Sequence, residues 1–497
     1  MNQPISTGAD WTFELITRYD QEIAQIAKNE FKLDTYRNQI EIIHSEQMLD
    51  AYASVGLPLS YPHWSYGKAF LANEQSYRKG MQGLAYEIVI NSDPCIAYLM
   101  EENTMTMQAL VVAHASYGHN SFFKGNYLFR QWTSADSILD YMLFARDYVM
   151  KCEERFGIAA VEQVLDAAHA LREYGIDRYR RPQPLSLDRE LARQQEREEH
   201  AAKQFDDIWR TLPVKEAAKR DLNHDVFPPE PQENILYFIE KYSPKLAGWQ
   251  RELIRIVRKL AQYFYPQGLT KVMNEGWATF WHYTLLNRLH DKGLVTDGFM
   301  LEFLHSHVGV VGQRGFDERG YHGINPYALG FAMFQDIKRI AENPTDEDRF
   351  WFPEIAGQDW LKVLDFAMRN FKDESFISQY LSPKVIRDQH LFGVADYERK
   401  QYLRIDSIHN EEGYRRIRQL LSQQYNRDSL LPDIQVIRYE KDTDRSLVLR
   451  HSEHRGRPLS TDHTEVLKHL VQLWGFPVRL ETVDETGKEK YFQEMRP

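Results

Sequence analysis

The sequence predicts a mainly α protein: a large multi-helix N-terminal domain with a small C-terminal α+β module. Two observations carry this reading. Apolar residues recur at helical spacing through most of residues 1–400. After residue 430 the runs "DIQVIRYEKD", "SLVLRHSE" and "PVRLETVD" alternate as strands do, around one capped helix, "STDHTEVLKHLVQLWG", that stops at Gly475. The 497 residues are 43% hydrophobic and 27% charged, enough apolar material for a large core.

Taken in order, residues 10–55 read as helix, with Asp10 as N-cap. "SVGLPLSYPHWSYGK", Ser54 to Lys68, is an ordered loop, and its His63 reads as a packed, hydrogen-bonded histidine. "EIVI" is a short strand or a helix end. Helices follow in "NTMTMQALVVAHASYGHNSFF", at 133–156 and at 158–173. A highly charged surface insertion spans about 186–230 and is closed by "FPPEPQEN". A second helical block covers about 235–295 and continues through "TDGFMLEFLHSHVGVV" and "INPYALGFAMFQDIKRIA". Residues 401–429 read as a helical connection and 430–497 as the α+β module. No regular internal repeat is present.

Composition excludes several classes of function. A net charge of −11 and a pI near 5.9 argue against nucleic acid and acidic membranes as partners, since both are bound through excess Lys and Arg. Cys95 and Cys152 form no CxxC pattern, which suits reduced thiols in a cytoplasmic protein, and Cys95 sits in an apolar run as an inert core residue. "MNQPISTGADWTFELI" does not read as a secretory signal, and no membrane span is expected. H-E-x-x-H, G-x-S-x-G, Walker A and G-x-G-x-x-G motifs are all absent.

Two segments gather His and Glu among apolar residues: "VVAHASYGHNSFFKGN", with His114 and His119, and "TKVMNEGWATFWHY", with Glu275 and His282. Carboxylates and imidazoles from several helices are how cysteine-free Zn, Mn and Fe sites are built. On a regular helix His114 and His119 diverge by roughly 140°, so they converge only through a helix end at Gly118 or a π-bulge. Glu275 and His282 share a face at a rise of ~10.5 Å, which suits a ligand and an outer partner rather than two ligands of one ion. Thr279 is placed to orient a carboxylate between them. Glu252 in "WQRELIRIVRK" is a further candidate, with pairing to Arg251 or Arg255 as the competing reading. For Glu275 the competing partner is Lys271. Glu302 and His305 form a same-face pair as alternative metal or outer-shell residues. Asn325-Pro326 starts a helix, and Tyr327 could donate to an anionic intermediate or simply be structural.

"PHWSYGK", "NSDPCIAYLMEENTMTMQALVVAHASYGHNSFFKGN", "YFYPQGLTKVMNEGWATFWHY" and "INPYALGFAMFQDI" together resemble the SpoVR family, the stage V sporulation protein R relatives, over nearly the whole chain. The resemblance implies a link to the spore cortex, a peptidoglycan layer, or, in bacteria that form no spores, to a stress or stationary-phase pathway. It also implies association with a PrkA-like serine protein kinase and a von Willebrand-factor-like protein. Two positions depart from the family pattern: relatives carry Asn or Thr after the second His of "LHSH", where Val308 follows His307 here, and a small residue where His322 stands. Neither position is counted in the site.

"NEGWA" is also similar to the helix that carries the third ligand in some zinc metallopeptidases. That likeness puts His114, His119 and Glu275 on a divalent ion, zinc first and Mn or Fe next, with His282 as fourth ligand or outer partner. Ala115 stands where those enzymes carry their base, so Glu252 is assigned to activate water and Tyr327 to steady the oxyanion. The expectation is a metal-dependent hydrolase of amide or peptide bonds. The alternatives are a regulatory partner of the kinase, needing no ion, and a di-iron oxidative enzyme using Glu302 and His305.

Overall fold

A computed structural model describes residues 3–48, 61, 63–64, 87–178, 227–313, 323–391, 394–395, 404–405, 410–426, 430–453 and 458–497. Most of the Ser54–Lys68 loop, most of the charged insertion and His322 lie outside the described residues. By its contacts the chain divides into two compact units, Met1–Lys151 with Gln262–Leu430 and Cys152–Ala261 with Leu431–Pro497. The helices of residues 152–261 therefore group with the C-terminal module.

The first unit is mainly helical around a small sheet. Helix α1 (Phe13–Gln25) is capped by Thr12, whose side chain accepts from the Leu15 amide; Asp10 is not its cap. A π turn at Ile26–Glu30 ends it. The expected continuation to residue 55 is overturned: "NQIEII" is strand β1 (Asn38–Ile43). Strands β2 (Glu87–Ile90) and β3 (Cys95–Met100) follow. The sheet order is β1-β3-β2, β1 parallel to β3 and β2 antiparallel to it. Non-local pairing wins over local helical spacing here, because β-branched Ile40, Ile42 and Ile43 fit a pleated surface.

Helix α2 (Met105–Val111) runs without a break into a π helix, Val112–His119, all eight residues of which are buried. Helix α3 (Lys271–Asp291) carries the "NEGWATFWH" stretch and is buried along much of its length, most continuously over Gly276–His282. Helices α4 (Asp297–Val311), α5 (Pro326–Glu342) and α6 (Asp373–Tyr380) complete the surroundings of the site. Asn325 caps α5 with Pro326 in its first turn, as the sequence predicts.

Small residues let these backbones approach closely. A Cβ built on Gly276 of α3 would lie 2.4 Å from Gly330 Cα of α5, and one on Gly118 of the π helix would lie 2.5 Å from Ala278 Cα of α3. Around those crossings Trp277, Phe280, Trp281 and Phe334 pack edge to face. The Trp277 indole N–H donates to Ser121 Oγ at 2.9 Å. The buried N-terminus of α3 is closed from outside: Asp373 Oδ2 and Oδ1 accept from the Val272 and Met273 amides, each at 2.9 Å.

The second unit contains a four-stranded sheet of β4 (Asp433–Tyr439), β5 (Leu447–Ser452), β6 (Val478–Val483) and β7 (Glu489–Met495), in that order. β5 and β6 are parallel, and the crossover between them is helix α7 (His463–Trp474). Gly475 ends α7 at φ 82°, the left-handed conformation that a side chain would resist. Helix Ile235–Tyr242 belongs to the same unit, where the buried Glu240 is held by Arg255 and Arg258.

Among the described residues no helix is long and apolar enough to cross a membrane. Cys95 is buried, and burial pushes its thiol up to about 12, which suits the inert reading.

Candidate metal centre

His114 and His119 converge, and the π helix is the reason. Its hydrogen bonds run from residue i to i+5, as from the Asn120 amide to Ala115 O, so residues five apart come onto one face. The two rings stand edge to face with centroids 4.7 Å apart. Asn120 fixes the end of the segment against β1: its Oδ1 accepts from the Tyr36 amide, and its Nδ2 donates to Tyr36 O and Asn38 Oδ1.

Their partner from the sheet is Glu87, which the sequence reading missed. Along β2 successive side chains alternate between faces. Ile88 joins Met48 and Met100, while Val89 packs on the main core and Glu87, on the same face as Val89, reaches the histidines. Glu87 Oε1 lies 3.1 Å from His114 Nε2 and 3.6 Å from His119 Nε2. Ligand atoms of Glu87, His114 and His119 all fall within 4.8 Å of one another, a spacing that could hold a metal ion. The only sequence signal was a carboxylate opening an otherwise apolar strand.

The α3 helix supplies the fourth side. Glu275 Oε2 lies 3.5 Å from His119 Nε2 and is buried with no hydrogen-bond donor. Its neighbour Asn274 accepts through Oδ1 from His119 Nδ1 at 2.9 Å. Since an amide oxygen only accepts, His119 carries a proton on Nδ1, which leaves Nε2, facing the carboxylates, as the nitrogen that an ion could take in place of a proton. His282 stands behind His114: its Nδ1 lies 2.7 Å from His114 Nδ1 and its Nε2 2.9 Å from Nδ1 of the buried His307. Tyr327 stacks beside His114 at 6.4 Å between centroids.

The electrostatics are those of a crowded, largely buried site. Burial alone drives His119 down, but the nearby carboxylates of Glu87 and Glu275 outweigh this and lift it to about 9. Burial holds His114 and His282 well below the ordinary range and pushes Glu87 up. A divalent cation could be held by this set: two imidazole nitrogens and carboxylate oxygens are a donor set of the kind used for Zn, Mn or Fe, and Glu275 Oε2 is a buried oxygen beside it without a hydrogen-bond donor.

Three expected residues fall elsewhere. Glu252 belongs to the second unit and is ion-paired with Arg255, the competing reading for that residue, whereas the cluster is built from the first unit. Glu302 accepts from the Thr104 hydroxyl that caps α2, at 2.5 Å. His305 is exposed; the histidine of "LHSH" that turns inward is His307. Thr279 is buried, but its hydroxyl has no hydrogen-bond partner and so does not orient Glu275.

Fold and site together define a mainly helical protein with a largely buried cluster of two histidines and one carboxylate, His114, His119 and Glu87, of a kind that could hold a metal ion. The chain belongs to the SpoVR family: residues 10–430 match the family described as SpoVR like protein, and residues 432–485 match the SpoVR-like C-terminal domain. It is 60% identical over 493 residues to the uncharacterized protein YcgB of Escherichia coli (strain K12), a match covering 99% of this chain and 96% of that relative. No solved structure matches it.

Proposed function

We propose that the protein is a metal-dependent hydrolase of amide or peptide bonds, with one divalent ion, zinc first, held by His114, His119 and Glu87. The observation that carries this is the convergence of three potential ligand atoms within 4.8 Å in a buried setting. When bound, the ion supplies Lewis-acid polarisation of a carbonyl and a more acidic water. Asn274 and His282 orient the two imidazoles from behind. Glu275, whose Oε2 faces the cluster without a donor, accepts the proton of the attacking water, the role that sequence alone gave to Glu252. Tyr327, beside His114, donates to the developing oxyanion. A peptidoglycan-derived peptide suits the cortex association of the family.

The test is elemental analysis of untagged protein followed by assays against peptide and muropeptide libraries. The expected result is about one zinc or manganese per chain, lost in His114→Ala. Glu275→Gln should keep the ion and lose turnover. Two irons per chain would favour oxygen chemistry instead, and no stoichiometric metal after reconstitution would sink the proposal.

A further inference from the structure

The two histidines of the centre are oriented by partners of different kinds. His119 Nδ1 faces Asn274 Oδ1, which can only accept, so one contact fixes a proton on Nδ1 and leaves Nε2 as the only nitrogen of that ring able to take an ion. His114 Nδ1 faces the Nδ1 of another imidazole, which can either donate or accept. If His282 Nδ1 donates, His114 must accept there and carry its proton on Nε2, pointing at Glu87, and it cannot bind an ion. If His282 Nδ1 accepts, His114 Nε2 keeps a free lone pair. The choice is therefore made at the far side of His282, where Nε2 meets His307 Nδ1 at 2.9 Å.

We propose that His307 is a positioning residue for the centre: by accepting from His282 Nε2–H, it makes His282 Nδ1 an acceptor and so frees the inward nitrogen of His114 for a divalent ion. This rests on the metal reading above. The surroundings of His307 fit the role. It is the buried end of the α4 stripe Phe299, Phe303, His307, spaced four apart, and its ring is boxed by Tyr283, Phe303 and Phe331 with centroids 5.0, 5.8 and 4.9 Å away. Those neighbours hold the ring without competing for Nδ1. Its ring stands at 89° to that of His282, which aims the nitrogen of one along the edge of the other. The exposed His305, two residues earlier, cannot substitute.

The test uses the full chain and Zn2+ alone, by calorimetric titration of wild type, Glu87→Gln, His307→Phe and His307→Asn. Phenylalanine keeps the packing and removes the acceptor; asparagine returns an acceptor oxygen near the Nδ1 position. His307→Phe should weaken zinc binding about 10- to 100-fold, the usual effect of losing an outer partner of a ligand, and His307→Asn should restore most of it. Ring-nitrogen NMR of 15N-histidine-labelled, zinc-loaded wild type adds a reading independent of any variant: His282 should carry its proton on Nε2 and His114 on Nδ1. Equal losses in the Phe and Asn variants, unchanged affinity in His307→Phe, or a His282 proton on Nδ1 would each overturn the positioning role while leaving the metal reading intact. Absence of zinc binding in wild type would overturn both. Retention in Glu87→Gln would instead count against the ligand set.

Discussion

Gly276 and Gly330 meet backbone to backbone where α3 crosses α5: a Cβ on Gly330 would lie 2.1 Å from Val272 O and 2.7 Å from Gly276 Cα. Neither backbone can yield without moving its helix, and α3 carries Asn274 and Glu275 just before Gly276 and His282 under two turns after it. Gly276→Ala and Gly330→Ala should each destabilise by at least ~1–3 kcal/mol through overpacking, and loosen the site as well. The contrast is Gly309 of α4, where a Cβ meets nothing within 4 Å. Gly309→Ala should be neutral or stabilising by up to ~1 kcal/mol, because alanine restricts the unfolded chain. Urea unfolding of the three variants checks the order; equal effects would contradict it.

Asp373 is the remote cap of α3. Its two carboxylate oxygens take the first-turn amides of Val272 and Met273 in a buried setting. Asp373→Ala leaves two amides unsatisfied and should lose about 1–3 kcal/mol. Asp373→Asn, which keeps one acceptor oxygen, should lose less. Thermal unfolding separates the two.

The three-histidine row makes the metal-free protein sensitive to acid. Burial lowers His307 to about 4, from an ordinary value near 6.5, and holds His114 and His282 below the ordinary range too. A histidine with a depressed folded-state pKa favours folding while neutral. Its contribution is complete above pH 6.5 and is lost as pH falls from 6.5 towards 4, where the unfolded chain takes up the proton first. In chelator-treated protein, stability should therefore drop across that window. His307→Phe should make the drop shallower, by about 1.4 kcal/mol per pH unit at most. Urea midpoints at pH 7, 5.5 and 4.5 test this, and an identical slope in the variant would refute it.

The mainly α character and the α+β module were legible because both rest on local periodicity, and His114, His119, Glu275 and His282 were legible as His and Glu in apolar helical runs. What escaped depends on partners distant in sequence. Sequence left open whether a helix end at Gly118 or a π-bulge joins His114 to His119; the π helix forms where Gly118 packs on Ala278, over 150 residues away. Glu87 is a single carboxylate on a four-residue strand whose direction follows from pairing with β3. Strand β1 was read as helix because its ladder partner lies more than 50 residues on. Glu302 and His305 looked like a pair by spacing, but the buried line of α4 is Phe299, Phe303 and His307, and that four-residue stripe was visible in "FMLEFLHSH". Glu252 has the same local texture as Glu275 and differs in its neighbours: it has an arginine one turn away on its own helix face, whereas Glu275 faces His119.

That difference yields the final expectation. Glu252 and Glu87 are both carboxylates paired with a basic side chain, yet only Glu87 shares its contact with two imidazole nitrogens. Zinc that binds the folded chain alone raises stability by about 2.7 kcal/mol at a hundredfold excess over its dissociation constant. Wild type should show that rise in a thermal-shift titration with zinc. Glu252→Gln should lose under ~1 kcal/mol of intrinsic stability, the scale of a partly exposed ion pair, and keep the full zinc-dependent rise. Glu87→Gln removes a charged ligand and should lose the zinc-dependent rise while leaving the metal-free protein folded. A rise that survives in Glu87→Gln and vanishes in Glu252→Gln would move the centre to the second unit.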